Sequence, residues 1–162
     1  MENMKKMLVA LMALMLCLVL AGCSDSDDTA STENLTCAQI AEIAEKAADF
    51  MPLTEAPDKY IEKYLLIDAE AELDDWDLRR DASRATPEMI LVLKVKPEAD
   101  QAFIKQAVQD FHDDQIMAYR DYQPEQMPKL ESAKVLENGP FIALIVSPDA
   151  TKVNAALGKG WK

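Results

Sequence analysis

The sequence predicts a small α+β domain, an antiparallel sheet with helices packed mainly on one face, in the rough order α-α-β-β-α-β-β-α. Three observations carry this. Met89-Ile90-Leu91-Val92-Leu93 is apolar at every position, the pattern of an interior strand. Asn138-Gly139 lies between two short runs and marks a hairpin with a type I′ turn. Several other segments place apolar residues at helical spacing behind a capping residue or a proline.

The elements follow in order. Thr36 and Gln39 form a capping-box pattern, and Ile40, Ile43, Ala44, Ala47 and Met51 recur behind it, so a helix is expected from about 37 to 50, ended by Pro52. A second short helix opens at Pro57 and buries Tyr60, Ile61, Tyr64 and Leu65. Strands are expected around Asp75 to Arg80 and from Met89 to Lys96. Pro97 begins the longest helix, with Glu98 and Asp100 in its first turn and Ile104, Ala107, Val108, Phe111, Ala118 and Tyr122 along one face. Strands at Lys134 to Glu137 and Phe141 to Val146 make the hairpin. Ser147 caps a closing helix that starts at Pro148 and Asp149, buries Val153, Ala156 and Leu157, and stops at Gly158.

The first residues are of a different kind. Lys5 and Lys6 precede an apolar run from Met7 to Leu20, too short for a bilayer core, which needs about 20 residues. Leu20-Ala21-Gly22-Cys23 then has the form of a lipobox: small residues at the cleavage site, Gly22 before the cut, and the Cys23 thiol as the site of diacylglyceryl attachment. Met4 would give a cleaner basic start than Met1, because Glu2 is out of place in such a leader. The expected organisation is a signal peptide at 1–22, a lipid-anchored tether at 23–35, one domain at 36–158 and a C-terminal tail at 159–162. The polar stretch from Ser24 to Leu35 has almost nothing to bury and would span roughly 20 Å as a flexible chain. The expected location is the outer face of the cytoplasmic membrane, held by two acyl chains, which anchor stably where one does not.

Charge and cysteines narrow the partners. The formal net charge of −12 becomes more negative when a leader carrying two lysines and one glutamate is removed. Nucleic acid is therefore not an expected partner; the membrane, through the lipid, and an envelope protein are. Cys17 leaves with the leader and Cys23 is consumed, so Cys37 has no internal partner and reads as a buried, inert thiol.

Few constellations point to chemistry. His112 is the one histidine, among Asp110, Asp113 and Asp114, but on a helix it points about 100° away from 113 and about 160° from 114, so these groups do not converge on a metal. Glu70, Glu72, Asp74, Asp75 and Asp77 lack the loop that wraps carboxylates around Ca²⁺, and Arg79, Arg80 and Arg84 neutralise them. Gln115, between Phe111 and Ala118, reads as a structural amide bonded to the loop at Tyr122 to Gln126, or as a polar group of a pocket together with Tyr122. No phosphate loop, nucleophile elbow, Cys-x-x-Cys or zinc spacing occurs, so no catalytic residue, cofactor or metal is assigned.

Certain marks do point to a family. Tyr122-x-Pro124-Glu125-Gln126 follows the long helix, the apolar strand ends in Lys94-Val95-Lys96, and the hairpin ends in Ser147-Pro148-Asp149. In these marks the chain resembles bacterial lipoproteins, common in Firmicutes, that carry the domain of unknown function numbered forty-three fifty-eight, over roughly Tyr60 to Leu157. His112 stands where members often carry arginine. The resemblance implies a domain behind a lipobox and supplies no activity. The functional expectation is a non-enzymatic accessory or protein-binding module of the envelope; a small-ligand-binding lipoprotein comes second and a carboxylate-dependent hydrolase third.

Overall fold

The structure is a computed structural model, and it describes residues 35–162 apart from Asp58. The expected signal peptide, Gly22, Cys23 and nearly all of the tether lie outside the described residues. No described helix is long and apolar enough to cross a membrane.

The elements are α1 (Cys37–Ala47), β1 (Leu53–Glu55), α2 (Tyr60–Leu65), α3 (Ala69–Glu72), β2 (Leu73–Asp81), β3 (Met89–Val95), α4 (Gln101–Tyr122), a 3-10 turn at Pro124–Gln126, α5 (Met127–Ser132), β4 (Val135–Asn138), β5 (Phe141–Val146) and α6 (Ala150–Leu157). The five strands form one antiparallel sheet in the order β1-β2-β3-β5-β4. The α+β class and the antiparallel sheet are as the sequence predicts.

β3 is the central strand, and its alternation divides the core in two. Met89, Leu91, Leu93 and Val95 join Ile142, Leu144 and Val146 beneath α2, α4 and α5. Ile90 and Val92 join Phe141, Ala143 and Ile145 beneath α1, which contributes Ile40, Ala41 and Ala44, and α6, which contributes Val153. Most of the helix does lie on the first face, as expected, yet the second is also sealed. A strand that is apolar at every position requires this, because each of its faces needs cover.

Local chemistry sets the element boundaries. Thr36 and Gln39 make the expected capping box, but α1 stops at Ala47, ahead of the extended Ala48. Two of its expected core positions, Ile43 and Met51, are exposed. Three prolines read as helix starts lie outside the helices that follow them. Pro57 accepts from the Tyr60 N–H and Pro97 sits within a turn closed by Ala99 N–H to Lys96 O, while Asp100 caps α4 by accepting from Phe103 N–H. Pro97, at the second position of its turn, has the same fixed φ as Pro at a helix start. Asp149 caps α6 instead of Ser147, whose buried hydroxyl has no partner among the described residues.

The hairpin turn is displaced by one residue. Asn138 pairs with Phe141, so the central residues are Gly139 and Pro140. Gly139 has φ +57, whereas the Pro140 ring fixes a negative φ. A type I′ turn needs two positive φ values; glycine first and proline second fit the type II′ pattern. The C-terminal residues return to the sheet: Lys162 exchanges backbone hydrogen bonds with Glu137 on β4, and the Trp161 ring lies 6.4 Å from that of Phe141. This pairing covers a sheet edge that would otherwise be open.

Candidate functional site

The candidate site is an open cleft of about 480 Å3 between α2, β1 and the β2–β3 loop. α2 is short, and its Tyr60 and Tyr64 stand one turn apart with ring centroids 4.3 Å from each other. Lys63 places its ammonium 4.9 Å from the Tyr64 centroid, and the Arg80 guanidinium, near the end of β2, lies 5.1 Å from that of Tyr60. Phe111 of α4 meets Tyr60 edge-on at 6.3 Å, which fixes the tyrosine from below. Lys59 and Arg84 complete the cationic lining.

Arg84 is placed by a buried carboxylate. One oxygen of Asp81 accepts from the Ser83 N–H and hydroxyl at 2.8 and 2.7 Å; the other accepts from the Thr86 N–H and hydroxyl, both at 2.9 Å. Burial opposes the charge of Asp81, but these four bonds outweigh it and hold the carboxyl down to about 2. The loop so fixed carries Arg84 at φ +60. Asp81 lines the cleft without neutralising it by direct pairing, because both of its oxygens serve the loop.

Four cations converge on this cleft, and it is their convergence that sets them apart, since other lysines and arginines outside it, Lys134 and Arg120 among them, also lack an ion pair with a described residue. Lys46, Arg79, Lys105, Lys129 and Lys152 each form an ion pair with a carboxylate. Lys59, Lys63, Arg80 and Arg84 form none with a described residue, and Glu55 is the other carboxylate of the lining. In a strongly acidic chain this leaves a local excess of positive charge. Burial raises the Tyr60 phenol above its ordinary value, with Arg80 opposing, and raises Tyr119 likewise, so both hydroxyls remain protonated donors near neutral pH.

Two further clefts adjoin the first. Arg84 is shared with one of about 350 Å3 lined by Ala118, Tyr119, Tyr122 and Gln123. Tyr64 is shared with another of about 250 Å3, which includes Leu66, Phe103 and Phe111.

The residues singled out by sequence fall as follows. Tyr122 is 88% exposed and lines the second cleft. Gln115 is half-buried on α4 and makes no side-chain hydrogen bond among the described residues; the tie from α4 comes from His112, whose Nε2–H donates to the Leu130 carbonyl of α5 at 3.0 Å. The expected helix-flank histidine is thus a buried clasp. Cys37 is fully buried; burial first, then Asp75 beside it, push its thiol far above the ordinary range, as an inert thiol requires. Asp75 accepts from the Cys37 N–H, Glu72 from the Asp68 N–H, and Asp77 grips Arg79. No three His, Cys, Asp or Glu side chains among the described residues converge as metal ligands. Arg79 alone of the three arginines pairs with the acidic run, while Arg80 and Arg84 turn to the cleft.

By sequence alone Tyr60 and Tyr64 belong to the core and the lysines beside them have no role. The signal was present: Lys59 and Lys63 recur with the same four-residue spacing as Tyr60 and Tyr64. Arg80 and Arg84 join them only in three dimensions.

The family model for a domain of unknown function, DUF4358, matches residues 46–147. The chain belongs to the DUF4358 family. The match begins and ends earlier than the expected Tyr60 to Leu157, takes in part of α1, stops before α6, and contains all three clefts. No curated protein and no solved structure matched this DUF4358 chain.

Proposed function

We propose that the chain is an extracytoplasmic lipoprotein, anchored through Cys23 at the outer face of the cytoplasmic membrane, whose domain performs no chemistry and binds another envelope protein through the face built on α2. One observation supports the binding face above the others. Leu66, at φ +59, and Arg84, at φ +60, are the non-glycine residues with positive φ among the described residues, and both line clefts of this face. Such a conformation costs about 1–3 kcal/mol. Leu66 is 80% exposed at the end of α2, where glycine is the ordinary occupant. An exposed leucine held in a costly conformation contributes little to the domain itself, so its contact is expected to lie outside it.

Leu66→Gly and Arg84→Gly are each expected to raise stability in urea by about 0.5–1 kcal/mol while weakening partner capture in cells. Lost stability in either variant would show that internal packing holds the residue, and would remove the support. For the anchor, Cys23→Ser is expected to move the protein out of the membrane fraction; continued sedimentation with membranes would contradict lipidation.

A further inference from the structure

We propose that the occupant of this face is an extended acidic segment of a partner protein, with apolar side chains between its carboxylates; this rests on the protein-binding reading above. The shape favours an extended chain. The cationic cleft continues into the Tyr122 cleft through Arg84 and into the Phe103 cleft through Tyr64, making an open, connected band. A compact small molecule would fill one of these hollows and leave the others uncovered.

The chemistry favours carboxylates at the centre. Lys63 and Arg80 are positioned by tyrosine faces, and a ring quadrupole orients a cation without cancelling its charge. With Lys59 and Arg84 beside them and no ion pair to a described residue, these groups have charge available to an incoming anion. Arginine further supplies a planar fork that matches a carboxylate. Glu55 at the wall and Asp81 in the loop set a limit on how many carboxylates the cleft accepts. The flanking clefts ask for something else: Ala118, Tyr119 and Tyr122 on one side, Leu66 and Phe103 on the other, with Asp110 and Asp114 at the rim of the latter repelling further acids. Acidic residues therefore belong in the first cleft and apolar side chains in its neighbours.

The test uses the full chain in detergent micelles and fluorescence anisotropy of a labelled peptide alternating glutamate and phenylalanine. Saturable binding is expected, at least about tenfold weaker when lysine replaces each glutamate and when the protein carries Lys63→Glu with Arg80→Glu. Thermal unfolding of that double variant should remain one cooperative transition, lowered only by the loss of the two cation–π contacts, so that lost binding is not lost folding. Equal binding of the lysine peptide, undiminished binding by the double variant, or full displacement by inorganic phosphate would overturn the proposal, the last by placing a small anion in the cleft. If the peptide fails to bind while a photo-crosslinker at Tyr122 still captures one defined protein in cells, the acidic chemistry falls and the binding face stands. Should the crosslink fail too, both fall.

Discussion

Phe141→Ala is expected to lower the unfolding free energy by about 3–5 kcal/mol, as much as or more than Leu91→Ala on the opposite face of the sheet, for which about 2–5 kcal/mol is expected. Both side chains are fully buried. Phe141 belongs to the core under α1 and α6, whereas Leu91 belongs to the core under α2, α4 and α5. A sheet covered on one side only would leave Phe141 partly wet and its truncation mild. Against a total stability of about 5–15 kcal/mol for a domain of this kind, either loss is large, and urea denaturation at constant slope measures it. A Phe141→Ala cost below about 1 kcal/mol would mean that the second layer does not pack as described.

Asp81→Asn is expected to be a strongly damaging polar change at the candidate site. The amide retains one acceptor oxygen and brings an NH₂ group against N–H or hydroxyl donors of Ser83 or Thr86, so a cost of about 2–3 kcal/mol at neutral pH is expected. Its pH dependence identifies the cause. Asp81 is depressed from an ordinary 3.8 to about 2 in the folded protein. A depressed carboxyl stabilises the fold above its unfolded value, and that contribution disappears as pH falls through the folded one. The shift corresponds to about 2 kcal/mol at pH 7, and about half of that is gone near pH 3. The difference in urea between the parent protein and the Asp81→Asn variant should therefore narrow between about pH 5 and pH 2. A gap independent of pH over that window would assign the damage to shape and not to the carboxylate.

The loop organised by Asp81 also shows why the sequence is legible in some places and opaque in others. β3 and β5 could be read because their apolar runs are local and unbroken, and the Thr36 cap because both of its partners lie within four residues. β1 could not: three residues after a proline carry no periodicity, and it exists because Leu53, Thr54 and Glu55 pair with Asp81, Arg80 and Arg79. The prolines misled because one fixed φ serves both a helix start and a turn, and at 97 and 148 an aspartate later in the chain took the cap. At the clefts, Tyr122 was visible as an aromatic at the end of a long helix. The cationic group was not, because Arg80 and Arg84 sit beside an acidic run in sequence and face away from it in space. Gln115 and His112 exchanged expected roles for a related reason: a helical period places both near one face, and only the position of α5 selects the histidine.

Whether the face around α2 meets a protein partner is decided by photo-crosslinking in cells. A benzophenone side chain would replace Tyr64 or Tyr122 on the candidate face, and Ala155, exposed on α6, on the opposite side of the sheet. The expected result is one adduct of defined mass from Tyr64 and Tyr122, lost in the Lys63→Glu, Arg80→Glu background and missing from Ala155. Equal adducts from both faces, or none from Tyr64 and Tyr122, would contradict the account.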